Sequence, residues 1–121
     1  MSFPHETLYS LLTGDPTVSG AVAGKIGPTP LPENTGYPAI TYSVVATDTF
    51  NQLSGFTDLR FPTFQVDVWS RDLSEALTVA SGVETALNDG ANTLEGRYGT
   101  YEPDARLYRE IIEVRIPHKQ F

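Results

Sequence analysis

Few residues of this chain have the types and spacing that catalysis requires. The two histidines, His5 and His118, lie near opposite ends and in no metal-ligand spacing. The chain has no cysteine, which excludes disulfides and thiolate metal sites. None of its serines lies in a Gly-x-Ser-x-Gly elbow. The chain also has no Gly-Lys-Ser/Thr sequence, which a phosphate loop requires. We therefore predict that the protein is not an enzyme and uses no cofactor or metal.

One pair of carboxylates could still act together. Asp67 and Glu110 fall in two segments with strand patterns, and two carboxylates that meet across neighbouring strands can divide acid–base work. Carboxylates that face water or an arginine are the more common case. We therefore favour a structural role for both residues.

A strand that leads directly into a helix positions Asp67. Phe64, Val66 and Val68 alternate with polar neighbours, which is the pattern of a strand with one buried face. Asp72 then has the type and place of a helix N-cap, and Glu75 stands where it completes a capping box. The sequence predicts that the helix begins within a few residues of the strand's end.

The predicted helix has an apolar stripe about four turns long. A helix of this kind buries its stripe against a sheet in a two-layer domain, so we expect it to pack on the preceding strand and its neighbours. The residues of the stripe recur at three- and four-residue steps: Leu73, Ala76, Leu77, Ala80, Val83, Ala86 and Leu87.

The amino-terminal third predicts two short helices and a loop. Helices are expected at residues 4–12 and, after an Asp15-Pro16 cap, through about Ala23. Residues 27–38 contain four prolines and are expected to form an extended loop, because proline lacks an amide donor and restrains its predecessor. Whether the Tyr37-Pro38 bond is cis stays open.

Two further stretches predict strands, and residues 93–101 do so weakly. We expect an α+β fold in a single domain, residues 1–121, with an antiparallel or mixed sheet of about four strands and helices packed on one face. In the strand at residues 39–46 the inward residues are Ile40, Tyr42, Val44 and Ala46. In the last strand, residues 107–116, they are Tyr108, Ile112, Val114 and Ile116, with Arg109, Glu113 and Arg115 outward.

Two sets of residues are candidates for contact with a partner or a second subunit. Residues 47–58 are polar and turn-rich, which predicts a long loop, yet they carry Phe50, Leu53 and Phe56. These three side chains either fold back on the sheet or dock on a partner. The outward side of the central strand carries the second set, Gln65, Asp67 and Trp69. For Trp69, a packed strand end and an interface are both open.

The charge balance argues against a nucleic-acid-binding function. The chain has 15 acidic and 8 basic residues. Without a basic cluster, an acidic domain is a poor candidate for gripping nucleic acid. Five of the cations lie in the last quarter, which suits head-to-tail pairing between copies or an ordinary solvated surface: Arg97, Arg106, Arg109, Arg115 and Lys119. No apolar run is long enough to span a membrane, and the amino terminus lacks a signal-peptide pattern, so we expect a soluble, unexported protein.

The order of these segments resembles the bacteriophage tail-completion or tail-terminator family over nearly the whole chain. The resemblance depends on residues 8–16 (Leu-Tyr-Ser-Leu-Leu-Thr-Gly-Asp-Pro), on Lys25-Ile26 before the proline-bearing loop, and on residues 37–42 (Tyr-Pro-Ala-Ile-Thr-Tyr). Its last part is residues 64–70 (Phe-Gln-Val-Asp-Val-Trp-Ser), which run into the helix at Asp72.

The resemblance implies a structural function. Members of this family form a ring, usually a homohexamer, that caps the finished tail tube and provides the surface for head attachment. The implied partners are other copies of the chain, the tail tube protein and a head–tail connector protein, and DNA passes through the lumen without specific binding. The implied place is the head-proximal end of the tail in the virion, after assembly in the host bacterial cytoplasm. An acidic lumen would suit DNA passage, because it repels phosphates.

Two other classes of protein remain open. A stopper or adaptor of the head–tail connector would share the size and acidity, but it would copurify with heads rather than tails. A small α+β ligand-binding module would need a concave pocket with convergent polar groups around Asp67 and Glu110.

Overall fold

The computed structural model describes residues 4–30, 36–52, 55–88 and 92–119. Three helices, α1 (Pro4–Thr13), α2 (Pro16–Val22) and α3 (Leu73–Leu87), accompany one sheet. Its strands are β1 (Ile26–Pro28), β2 (Ala39–Gln52), β3 (Gly55–Ser70), β4 (Thr93–Glu102), β5 (Leu107–Arg115) and the two-residue β6 (His118–Lys119). The α+β prediction is confirmed.

The sheet is mixed and has one strand more than expected, besides the short β6. Its order is β1-β2-β3-β5-β4, and β6 pairs with β3 beyond the end of β5. Among the described strands, β1 alone runs parallel to its neighbour, with Ile26 opposite Ile40; the other pairs are antiparallel. β3 is therefore the central strand, since β2 lies along one side of it and β5 and β6 along the other.

The core lies between the helices and one face of the sheet. The predicted inward residues of β3, Phe64, Val66 and Val68, are fully buried. Directly opposite Val66 lie Tyr42 on β2 and Ile112 on β5, so these side chains share that face. The helices contribute a second set of buried residues: Leu8 and Leu12 from α1, Val18 and Val22 from α2, and Ala76, Val79, Ala80, Val83 and Leu87 from α3.

The start of α3 is held by a relay rather than by the predicted capping box. Asp72 is the N-cap, as expected, and its Oδ2 accepts a hydrogen bond from the backbone N–H of Glu75 at 3.2 Å. The Glu75 carboxylate does not return to the Asp72 amide. Instead it accepts from the Ser70 hydroxyl at 2.7 Å, and that hydroxyl accepts from the Asp72 N–H at 3.1 Å. The buried Ser70 thus joins the end of β3 to the first turn of α3.

The predicted stripe of α3 was wrong at its margin. Leu73 and Leu77 are 46% and 41% exposed, while Val79, which the prediction omitted, is buried. Successive helical residues are rotated by about 100° about the helix axis, so Leu77 lies on a different face from the buried Ala76. The helix turns its small residues Ala76 and Ala80 toward the sheet, and this rotation brings Val79 into the core.

The predicted loop at residues 47–58 was also wrong. β2 and β3 continue as an antiparallel pair through Asp48 opposite Phe61 to Gln52 opposite Gly55. The register shifts between Val44 and Ala46 and again between Thr49 and Asn51. The first shift is by one residue, so it reverses the alternation of β2 relative to its partner strand, and the second is by two residues. Such shifts interrupt the regular period by which a strand is predicted from sequence.

Other local predictions have mixed outcomes. Asp15 caps α2, because its Oδ1 accepts hydrogen bonds from the amides of Thr17 and Val18, as expected. The weakly predicted strand at residues 93–101 is a full strand, β4. The peptide bonds before Pro30 and Pro38 are cis. In the part of the chain that the structure describes, no helix has the length and apolar composition that crossing a membrane requires.

The α3 contacts predict different roles for two leucines of the same helix. Replacing the fully buried Leu87 with Ala should lower the free energy of unfolding by about 2–5 kcal/mol, because it opens a cavity in the core. The matched change Leu77→Ala should cost less than about 1 kcal/mol, because that side chain is exposed. Denaturant unfolding measures both, and equal losses would contradict the placement of α3.

Candidate interaction surface

The face of the sheet opposite the helices carries a polar cluster. Strand register places Asp67 beside Thr41 on β2, and Trp69 beside Arg109 on β5. Gln65 precedes Asp67 on the same face. We call these five residues, Thr41, Gln65, Asp67, Trp69 and Arg109, the open-face cluster.

A buried ion pair is the centre of the cluster. Arg109 Nη2 lies 3.1 Å from Asp67 Oδ2, and Asp67 is only 2% exposed. The Gln65 side-chain amide donates to both carboxylate oxygens, at 3.2 and 3.3 Å. On its outer side Arg109 Nη1 lies 3.2 Å from Glu102 Oε1. The Asp67 charge is thus compensated by one cation and one amide, as a desolvated carboxylate requires.

The environment keeps Arg109 charged. Burial alone would lower the pKa of its guanidinium, but the hydrogen bonds and charges of Asp67 and then Glu102 outweigh burial, and the pKa is raised above its ordinary value. The group therefore stays protonated throughout the physiological pH range.

Trp69 is fixed on this face by two contacts. Its indole Nε1 donates a hydrogen bond to the hydroxyl of the buried Thr41 at 3.0 Å. The guanidinium carbon of Arg109 lies 4.8 Å from the Trp69 ring centroid, a cation–π distance. The ring itself is only partly buried. Trp69 is thus a rigid aromatic surface, which suits contact with a partner.

A depression of about 370 Å³ opens beside the cluster. Pro30, Tyr37 and Leu107 give it largely apolar walls, and Thr41 and Asp67 also line it. The Asp67 carboxylate and the Thr41 hydroxyl are already bonded to the protein's own side chains. The depression therefore offers shape and apolar surface rather than free catalytic groups.

The hypothetical pair of Asp67 and Glu110 does not form. Val68, not Asp67, lies opposite Glu110, so the two carboxylates project from opposite faces of the sheet. Glu110 Oε1 instead accepts from Arg97 Nε at 3.1 Å, and Arg97 Nη1 also contacts Glu84 on α3 at 2.7 Å. Within the described ranges, no group of three or more histidine, aspartate or glutamate side chains could hold a metal ion.

The structure thus assembles one of the two predicted candidate sets. Gln65 and Asp67 are in contact, and Trp69 joins them through Arg109. The predictions for Leu53 and for the side chains of Phe50 and Phe56 lie outside the described residues. The sequence analysis placed Arg109 outward but missed its role, since alternation shows which face a residue takes and not which residue stands opposite.

Comparisons with known proteins agree with the architecture. A family model described as Tail completion protein gp17 matches residues 6–119. Solved structures of similar fold include a chain from "Virion of native gene transfer agent (GTA) particle", with 15% sequence identity and a TM-score of 0.66. The alignment covers 93% of this chain and 92% of that chain. At this identity the likeness shows a common fold alone. A comparison with curated proteins gave no match.

The ion pair of the cluster predicts a specific loss of stability. Arg109→Met should lower the free energy of unfolding by about 2 kcal/mol, because it leaves the Asp67 carboxylate buried without its cation. Glu102→Gln, which removes the outer partner of the same arginine and leaves the pair with Asp67 in place, is the control. The Glu102 side chain is 38% exposed, so this change should cost less than about 1 kcal/mol. A control as costly as Arg109→Met would show that burial of Asp67 is not the cause.

Glu110 makes a second prediction, at a glycine of β4. A Cβ on Gly99 would overlap the Glu110 carboxylate, which Arg97 holds in place. Gly99→Ala should therefore cost about 1–3 kcal/mol of unfolding free energy. Gly96→Ala in the same strand meets no atom within 4 Å and should be neutral or slightly stabilising. Chemical denaturation measures the unfolding free energy of both variants. A larger loss for Gly96→Ala than for Gly99→Ala would contradict the placement of Glu110.

Proposed function

The chain belongs to the Tail completion protein gp17 family, and we propose that it caps the tail tube of a phage or phage-like particle as a homo-oligomeric ring. A structural role in the phage tail follows from the family. The ring, usually a homohexamer in tail-terminator proteins, and a head-attachment surface on it are the further steps of the proposal. The observation that carries it is the family match across residues 6–119, which leaves almost no part of the chain outside the family pattern.

The open face suits a surface that meets other proteins. It presents a rigid Trp69 beside a largely apolar depression, and charged groups of both signs surround them. Asp67 is too buried to be a main contact itself, so its part is to hold Arg109 in place. We propose that Gln65 and Trp69 lie at or near a subunit or partner interface.

The proposed partners follow from the position at the end of a tail. One side of the ring meets the tail tube protein, and the other meets a head–tail connector protein. DNA passes through the lumen without specific binding, which suits a chain with a net charge of −7. A basic lumen in an assembled ring would contradict this part of the proposal.

Two alternatives have their own predictions. A stopper or adaptor of the connector would be found on heads that lack tails. A ligand-binding module finds one observation in its favour, the depression beside Trp69. The Asp67 carboxylate and the Thr41 hydroxyl that line it are engaged internally, however, and Glu110 does not line it. A stable dimer with a ligand in this depression would favour the module.

Tail assembly with and without the chain tests the proposal. Tails made without it should fail to join heads, and electron microscopy of complete tails should show a ring at the head-proximal end. Immunogold labelling of the chain should mark that end. Label found only on tail-free heads would identify a connector component, and normal head joining without the chain would overturn the proposal.

The hairpin of β2 and β3 gives a more specific prediction. Replacing Phe50 and Phe56 together with Ser should leave the protein folded by circular dichroism but abolish capping, because we propose that these side chains contact the tube. Tyr9→Ser, which changes an exposed aromatic residue of α1, is the control and should cap normally. Normal capping by the double variant would remove the hairpin from the interface.

A further inference from the structure

We propose that each subunit joins the next by pairing the outer edge of its β4 with the outer edge of its neighbour's β2 beyond Tyr42. The proposal rests on the ring of the preceding subsection and adds how the ring closes. It concerns two places where, among the described residues, a strand of the sheet pairs on one side only, namely β4 and the part of β2 beyond Tyr42.

The first edge is β4. This ten-residue strand pairs with β5 along its whole length, from Thr93 to Glu102, and stands at the end of the strand order. No strand pairs with its other edge in the residues that the structure describes. Eight of its ten residues are exposed. Its backbone donors and acceptors on that edge are therefore available to another strand.

The second half of β4 lacks the features that commonly prevent an edge from pairing. Protected edges carry lysine, proline, charged side chains or β-bulges, or are very short. The bulge between Leu94 and Gly96 and the charged residues Glu95 and Arg97 lie in the first half of the strand. β4 has neither lysine nor proline, and its segment Tyr98-Gly99-Thr100-Tyr101 has no charge. The charge of Arg97 is directed into the protein, onto Glu84 and Glu110. Tyr98 is 52% exposed, which is a large aromatic surface beside a strand edge that has no partner among the described residues.

The second edge is the outer half of β2. β1 covers only its first residues, since the pairing ends with Pro28 opposite Tyr42 and with the Thr29 amide bonded to the Tyr42 carbonyl at 3.0 Å. From Ser43 to Gln52 the other edge of β2 has no strand beside it within the described part of the chain. These ten residues match the length of β4 and contain one charged residue, Asp48.

The two edges favour head-to-tail assembly. β4 is the last strand on one side of the sheet, and β2 beyond Tyr42 is the outermost strand on the other side, where β1 no longer pairs. One molecule therefore cannot pair its two edges with each other, whereas a closed ring of molecules can pair all of them. A heterologous contact of this kind generates a ring if the rotation between copies closes. Pairing of β4 with a second β4 would instead give a closed dimer and leave the β2 edge open.

Disulfide trapping tests the proposal in a chain that has no cysteine of its own. Thr100 is exposed on β4 and shares the open face with Ser43 on β2, by register with Arg109 and Gln65 respectively. A double variant, Thr100→Cys with Ser43→Cys, is oxidised in the particle fraction that contains the chain. Because the register between copies is not fixed, parallel samples move the second cysteine to Ala46 or Asp48.

We expect at least one of these double variants to give a ladder of covalent oligomers on denaturing gels, while each single variant stays monomeric. Thr100→Cys with Thr85→Cys, an exposed position on α3, is the control and should give no ladder. Dimers from Thr100→Cys alone would overturn the proposal in favour of β4–β4 pairing. Capped tails without a ladder in any register would overturn strand pairing and leave the capping function standing, whereas a ladder on tail-free heads would keep the pairing and overturn the tail cap.

Discussion

Among the described residues, the helices cover only one face of the sheet, and the rest of the structure depends on this constraint. The three helices bury Phe64, Val66 and Val68 from one side, so the other face has to stabilise its own buried groups. Cross-strand contacts serve that purpose, because Asp67, Arg109 and Trp69 come from neighbouring strands and lie within bonding distance. A hydrophobic face needs only apolar neighbours, whereas this polar face needs defined partners at defined distances. The open face consequently combines side chains in defined contacts with partial accessibility, which suits a protein-binding surface.

The sequence predicted those parts of the fold that depend on local pattern. Alternation along β3 placed Phe64 in the core and Trp69 on the open face, and the type and position of Asp72 predicted the start of α3. The failures required knowledge of contacts between distant segments. Leu77 has the spacing of a core residue, but the rotation of α3 is decided by what it packs against. Likewise, the register that separates Asp67 from Glu110 depends on how β3 and β5 align across the 36 residues between them, which alternation does not specify.

The family was accessible from the order of the segments rather than from any single residue. The motifs of residues 8–16, 37–42 and 64–70 fall on α1 with the α2 cap, on β2 and on β3, which are the elements that build the core and the strand–helix junction. Folding constrains the residue types at these positions, so the family pattern is found there. The residues that we propose as contacts lie on the hairpin, the sheet edges and the open face, where folding constrains residue types less. This is why the family was predictable and the interface was not.

The Ser70 relay gives the long central strand a mechanical role. β3 has 16 residues, so its backbone extends over about 50 Å from the hairpin to the helix junction. At one end it belongs to the hairpin with β2, and at the other Ser70 ties it to the cap of α3 through Asp72 and Glu75. A force applied to the hairpin along the direction of β3 would act in shear on the backbone hydrogen bonds that join β3 to β2 and β5. Many of these bonds would then resist the force together. The same strand leads into α3, so a force on the hairpin would reach the helix layer through β3 and the Ser70 contacts.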